Sequence, residues 1–312
     1  MKIIISEFMD DAAVETLRAQ HNVVYDPQLV DQPNALMEHV RDAQALIVRN
    51  RTQVRGALLD AATELKVVGR LGVGLDNIDV SDCERRGVTV IPATGANSRA
   101  VAEYVIGTAM LLLRRSYLST AQVAAGAWPR GALSSGREIG GKTLGLIGFG
   151  GIGRLTAQLA QGLGMRVVAH DPALKDDDPV WESSNVQPRT LDALLTEADV
   201  VSLHVPLVEG TRNLINAERL SLMKADAVLI NSARGGIVDE AAVAYALREG
   251  RLGGAALDVF VDEPLPATST FDDIPNLVLT PHIAGVTAES NTRVSELIAQ
   301  RVAEALQGHV AA

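Results

Sequence analysis

A chain of 312 residues is long enough for two domains with sizeable cores, and 47% hydrophobic with 21% charged residues is ordinary globular composition. The net charge of -10 argues against a nucleic-acid or anionic-membrane partner, although a local basic pocket can still attract a small anion. Cys83, the only cysteine, excludes a disulfide framework, fits a reducing cytoplasm and reads as a small apolar core residue. Aromatics are only 3%, so the core must be aliphatic, as in parallel sheets covered by helices. The N-terminus enters a strand without signal-peptide architecture, and the apolar run Val101–Leu113 carries Glu103 and is too short to span a bilayer. A soluble cytoplasmic protein is expected.

Strand and helix patterns alternate from the start. Lys2–Ile5, Asn22–Tyr25, Ala45–Val48, Lys66–Gly69 and Thr89–Ile91 read as strands. Helical stretches lie between them at Asp11–Ala19, Pro33–Arg41, Gly56–Ala61 and Val80–Arg86. A long helical pattern from Asn97 to about Ala125 follows, then the mixed loop Gly126–Gly141 with Trp128, Pro129 and Arg130. A second series has strands Thr143–Ile147, Arg166–Ala169, Val200–Leu203, Ala227–Ile230, Gly254–Leu257 and Leu277–Leu279. Its helices include Ile152–Leu163, Leu191–Thr196 and Glu240–Arg248, and Thr287–Gln307 is a final long helix. The expected fold is α/β, with two doubly wound domains joined by two crossing helices. Residues 1–98 plus 284–312 would form one discontinuous domain and residues 99–283 the other.

The second series opens on Gly148-Phe-Gly-Gly-Ile-Gly153 between a strand and a helix. Gly148, Gly150 and Gly153 suit a tight turn whose backbone approaches a diphosphate at a helix N-terminus, with Gly151 and Ile152 in the same turn. Asp171 follows the next strand, 18 residues after Gly153. A carboxylate there accepts hydrogen bonds from ribose hydroxyls and repels a 2′-phosphate, which favours NAD over NADP.

Ligands of doubly wound sheets bind beyond the carboxyl ends of the strands. Arg234, Glu263 and His282 stand at or just after three such ends. A histidine titrates near neutrality, a carboxylate beside it fixes its orientation, and a guanidinium binds a carboxylate bidentately. Singly, each has a structural alternative; on neighbouring strand ends beside a nicotinamide they make a redox site. No metal site is assigned.

Four ordered segments now carry a family resemblance: the glycine turn, Asn231-Ser-Ala-Arg234-Gly-Gly-Ile-Val-Asp239, Ala256-Leu-Asp258-Val-Phe-Val-Asp-Glu263-Pro and Pro281-His282-Ile-Ala-Gly285. Together they resemble the signatures of the D-2-hydroxyacid dehydrogenases over essentially the whole chain. The resemblance implies a flavodoxin-like substrate domain, a Rossmann NAD-binding domain, and Arg234, Glu263 and His282 as catalytic residues. It further implies Asp258 at the nicotinamide carboxamide, and Val205, Ser232 and Ala233 among the cofactor-lining positions. His204 is read either as a cofactor neighbour or as a structural residue.

Val68-Gly-Arg70-Leu-Gly72-Val73-Gly74 and Ile47-Val-Arg49-Asn-Arg51-Thr resemble substrate loops of the phosphoglycerate dehydrogenase branch. The resemblance implies backbone N–H groups of Gly72, Val73 and Gly74 at the substrate carboxylate, with Arg49 and Arg70 at a second anion. Arg51 is read either as a third anion ligand or as a surface arginine paired with an acid. The His loop reads Ile283-Ala-Gly285-Val-Thr287, unlike that branch's Gly-Ala-Ser-Thr, and a protein without that branch's C-terminal regulatory domains is expected. A sulfonated relative of the substrate, 3-sulfolactate, therefore ranks beside 3-phosphoglycerate, with hydroxypyruvate or glyoxylate reduction as the alternative. An NAD-sensing corepressor-like binding protein is the alternative from another class. Formate dehydrogenase fits less, since Pro281 stands where that enzyme carries Gln. A homodimer through Asn97–Gly141 is expected, with Arg130 reaching the partner's site.

Overall fold

The computed structural model describes residues 1–308 except Thr268, with the side chains of Ser116 and Leu118 also left aside. The chain divides into two compact units: Met1–Asn97 with the chain from Val286 onward, and Ser98–Gly285.

In the first unit β1 (Lys2–Ile5), β2 (Asn22–Tyr25), β3 (Ala45–Val48), β4 (Val67–Arg70) and β5 (Thr89–Pro92) form one parallel sheet in the order β2-β1-β3-β4-β5. Alternate residues serve opposite faces, as strand geometry requires. Ile3, Ile5 and Ile47 pack with Ile298 and Val302 of the last helix, Ala288–Gly308. Ile4, Leu46 and Val68 pack on the other side with Leu36, Val40, Leu59 and the fully buried Cys83. Gly69 lets the last helix lie close: a Cβ there would stand 2.8 Å from Ile298 Cγ2 and Val302 Cγ2.

The second unit is a parallel sheet of β6 (Thr143–Ile147), β7 (Arg166–His170), β8 (Gln187–Pro188), β9 (Val200–Leu203), β10 (Val228–Asn231), β11 (Gly254–Leu257) and β12 (Leu277–Leu279). Their order is β12-β11-β10-β9-β6-β7-β8. This is the dinucleotide-binding arrangement, with β6 at the point where strand order reverses. The sequence pattern yields six strands; β8 is an addition. Two residues show no alternation, and Pro188 lacks an N–H, which restricts it to an edge.

The expected continuous helix from Asn97 to about Ala125 is corrected. A helix covers Ser98–Arg114, Arg115 turns left-handed at φ 56°, and Ser116–Ser119 (3-10) and Thr120–Ala124 (α) follow. The break has a tertiary cause. Arg115 Nη2 donates to the Gly253 carbonyl at 3.3 Å and the Tyr117 hydroxyl donates to Asn276 Oδ1 at 3.0 Å. These bonds fasten the chain beside β11 and β12, where a straight helix would run on.

Candidate active site

The glycine turn sorts its four glycines by what surrounds them. Gly148 has φ 96°, and a Cβ on it would lie 2.4 Å from the His204 carbonyl oxygen. A Cβ on Gly153 would lie 2.4 Å from the Gly148 carbonyl oxygen, so this glycine packs helix against strand. At Gly150 and Gly151 no atom lies within 4 Å of the Cβ position. The helix Gly151–Gly162 begins there, and its N-cap Gly150 offers no side chain to the first amides. Open space against free amides is the cradle that a diphosphate requires.

Asp171 braces this turn from the end of β7. Its Oδ2 accepts from the Phe149 N–H at 2.8 Å and its Oδ1 from the Ala173 N–H at 3.0 Å. A carboxylate has about four acceptor sites, so both oxygens keep capacity for ribose hydroxyls. His204 donates its backbone N–H to the Ile147 carbonyl at 2.7 Å, and its Nε2 lies 3.0 Å from Ser202 Oγ. Burial pushes the His204 pKa down to about 4, so the ring is neutral at physiological pH. Val205 stands beside it, against Gly148. Ser232 Oγ is buried and finds no partner among the described residues. An orphaned hydroxyl, an open glycine cradle and a carboxylate at the end of β7 fit NAD.

At the end of β10, Asn231 shapes the Arg234 turn. Its Oδ1 accepts from the Ala233 N–H at 3.1 Å and its Nδ2 donates to the Arg234 carbonyl at 2.9 Å. Arg234 Nη1 donates to the Ala233 carbonyl at 2.6 Å. Gly235 lets this turn lie on the next loop: a Cβ there would stand 1.8 Å from the Phe260 carbonyl oxygen. That next loop carries Glu263, whose Oε1 accepts from the Phe260 N–H at 3.0 Å. Glu240 supports the same loop by accepting from the Val261 N–H at 2.8 Å. Burial raises the Glu240 pKa above the usual carboxylate range, and the nearby acids Asp262, Asp239 and Glu263 add to the rise.

Glu263 Oε2 lies 2.8 Å from His282 Nδ1. The side chains are 33% and 40% exposed, so the pair contributes orientation more than stability. His282 adopts φ 55°, a left-handed conformation that a non-glycine residue avoids without external support. Buried Asp258 supplies the support. Its carbonyl accepts from the His282 N–H at 2.8 Å, Oδ1 from Thr280 Oγ1 at 2.6 Å and the Ile283 N–H at 2.8 Å, and Oδ2 from the Ala284 N–H at 2.8 Å. The Tyr104 hydroxyl, 2.7 Å from Thr280 Oγ1, extends the chain. Asp258, read from the resemblance as a cofactor contact, thus anchors the histidine loop.

In the first unit the Glu7 carboxylate, only 4% exposed, accepts from the backbone N–H groups of Arg49, Asn50, Arg51 and Thr52 at 2.9, 3.3, 3.1 and 3.0 Å. Sequence reasoning missed this residue; an acid two residues after an apolar first strand was the available signal. Arg49 Nη2 donates to Asn291 Oδ1 at 2.8 Å, and the guanidinium lies 5.8 Å from the centre of the Phe8 ring. Burial lowers its pKa, an effect opposed by Glu7, yet it remains a cation. Arg51 instead forms an exposed ion pair with Asp31. The Arg70 guanidinium occupies the place where a Gly72 side chain would begin. The Gly72 N–H donates to the Arg70 carbonyl at 2.8 Å, whereas the Val73 and Gly74 amides have no acceptor among the described residues.

A dinucleotide sheet with a Glu–His pair and an arginine on adjacent strand ends defines an NAD-dependent oxidoreductase. Residues 106–284 match the family model described as "D-isomer specific 2-hydroxyacid dehydrogenase, NAD binding domain". The chain belongs to the D-isomer-specific 2-hydroxyacid dehydrogenase family. It is 53% identical over 304 residues to (S)-sulfolactate dehydrogenase of Chromohalobacter salexigens, covering 97% of this chain and 98% of that one. It is 36% identical to D-3-phosphoglycerate dehydrogenase of Methanocaldococcus jannaschii, covering 100% of this chain and 58% of that longer relative. The D-lactate dehydrogenase of Aquifex aeolicus, solved with NAD and lactic acid, superposes with a TM-score of 0.83 at 28% identity, covering 99% of this chain and 96% of that one. No helix among the described residues is long and apolar enough to cross a membrane.

Proposed function

We propose that this enzyme interconverts 3-sulfolactate and its 2-oxo acid, with 3-phosphoglycerate as the nearest competing substrate. The observation that carries the substrate class is Arg49: a half-buried guanidinium with no carboxylate in ion-pair contact among the described residues. Such a cation suits an anion beyond the one every 2-hydroxy acid carries. The similarity to a sulfolactate dehydrogenase supports the same choice.

NAD, when bound, supplies the hydride acceptor for the oxidative direction. His282 Nε2 takes the hydroxyl proton, and the Glu263 carboxylate stabilises the imidazolium that forms. Arg234 binds the substrate carboxylate and polarises the carbon–oxygen bond. The Val73 and Gly74 amides take a carboxylate oxygen, and Arg49 and Arg70 receive the sulfonate.

The experiment is NADH absorbance with 3-sulfolactate, 3-phosphoglycerate, glycerate, glyoxylate, hydroxypyruvate and lactate. The highest kcat/KM is expected for sulfolactate. Better turnover of lactate or glycerate than of either doubly charged acid overturns the assignment.

The protein acts as a cytoplasmic homodimer in this reading. Met110, Val123 and Trp128 are exposed at 45%, 44% and 77% on the segment 98–141, which suits a face covered by a second copy, with Arg130 beside it. A monomeric mass by light scattering removes this assembly.

A further inference from the structure

Two groups approach Arg49 in the first unit, and neither forms an ion pair with its guanidinium. Glu7 is the nearby carboxylate, whose charge favours the guanidinium at a distance, but four backbone amides of residues 49–52 take its acceptor sites. The other neighbour is Asn291, whose Oδ1 accepts from Arg49 Nη2 at 2.8 Å. A guanidinium only donates, so the oxygen of that amide must face it. Asn291 is firmly placed. At the start of its helix the Thr287 N–H donates to Ser290 Oγ at 2.8 Å and the Ser290 N–H donates to Thr287 Oγ1 at 3.1 Å, a reciprocal cap. Arg293 Nε donates to the Ala96 carbonyl at 3.0 Å and pins the next turn. The Phe8 ring, its centre 5.8 Å away, offers the guanidinium a cation–π contact.

We propose that Asn291 is a specificity-determining residue: a neutral acceptor standing where a carboxylate would cancel Arg49, so that the guanidinium keeps its charge for the substrate's second anion. The inference rests on the reading of Arg49 as that anion's ligand. One hydrogen bond to Asn291 aims the guanidinium, and its other N–H groups stay available for a sulfonate or phosphate. Glu7 complements this by fixing the backbone from which Arg49 springs. An aspartate at 291 would have nearly the same shape and would change only the charge.

The test compares kcat/KM for 3-sulfolactate with kcat/KM for lactate, which lacks the second anion, in wild type and in Asn291→Asp, Asn291→Leu and Arg49→Met. Asn291→Asp is expected to lower the sulfolactate-to-lactate ratio about tenfold or more, mainly through KM for sulfolactate, because a charge placed against a half-buried guanidinium competes directly. Asn291→Leu, which removes the acceptor without adding charge, is expected to change the ratio less than about threefold. A collapsed ratio in Arg49→Met with an unchanged ratio in Asn291→Asp overturns the role of Asn291 and leaves Arg49 standing. A collapse in Asn291→Leu as large as in Asn291→Asp overturns the charge argument, even if the aspartate variant folds poorly. An unchanged ratio in Arg49→Met, or a wild-type ratio below one, overturns the Arg49 reading and the Asn291 inference with it.

Discussion

Glu263 Oε2 sits 2.8 Å from His282 Nδ1, and this single contact decides which nitrogen of the imidazole can act. An ionised carboxylate only accepts, so Nδ1 carries the hydrogen and Nε2 is the nitrogen left open for the proposed proton transfer. Asp258 holds the histidine in a left-handed conformation through the backbone of the same loop. Orientation is therefore built from two acidic residues, Glu263 at the ring and Asp258 at the backbone of its loop.

Replacing His282 by Asn should lower kcat roughly a hundredfold or more, the usual loss when a positioned acid–base group is removed. Glu263→Gln should lose roughly tenfold, since its amide can still meet Nδ1 but no longer stabilises the imidazolium. Titration of NAD by fluorescence should give a Kd within about twofold of wild type for both. Turnover near the wild-type rate in His282→Asn would exclude the histidine as the proton carrier.

The glycine turn predicts a division between binding and folding. Gly150→Ala has an ordinary φ of -74° and open space, so Tm should hold while the NAD Kd rises about tenfold or more by obstruction of the diphosphate. Gly153→Ala meets the Gly148 carbonyl at 2.4 Å and should cost about 1–3 kcal/mol of stability in urea melts. Equal thermal losses in both variants would contradict the division.

Asp171 should confer a preference for NAD over NADP of roughly a hundredfold or more in kcat/KM, by repelling the 2′-phosphate. Asp171→Ala should narrow that preference, and it should also loosen the turn, because the Phe149 N–H loses its acceptor. Comparable wild-type turnover with both cofactors would remove Asp171 from cofactor selection.

His204 makes acid stability measurable. Unfolded, its ring binds a proton near pH 6.5; folded, burial delays this to about pH 4. Between these values the unfolded chain holds more protons, so stability falls as pH drops and is fully present above about pH 6.5. The loss from this group is at most about 3 kcal/mol. Urea melts at about pH 4.5 and about pH 7.5 should show a smaller difference in His204→Asn than in wild type. An unchanged difference would mean that the ring does not govern this slope.

Much of this protein is written locally. The apolar runs of β1, β3 and β6 and the helical spacing between them depend on neighbours one to four residues away, so both sheets are legible from the chain. Gly148 to Gly153 follows the same logic, because a strand, a tight turn and a helix start are consecutive. Arg234, Glu263 and His282 are legible as chemistry because each follows a strand end.

Contacts across long separations were not legible, since no period or motif encodes them. Tyr117 meets Asn276 159 residues later and ends a helix that its own pattern would continue. Arg49 and Arg51 stand two residues apart, and the sequence left Arg51 between an anion ligand and a paired surface arginine; Asp31 pairs with Arg51, while Asn291, 242 residues from Arg49, accepts from that guanidinium without adding a negative charge. Glu7 looks like an ordinary surface acid until four amides of the 49–52 loop close around it. Sequence alone determined that this is a dinucleotide-binding dehydrogenase, because those signals are local. Which of its charges are cancelled and which remain free was decided only by tertiary structure, because electrostatics depends on distance in space.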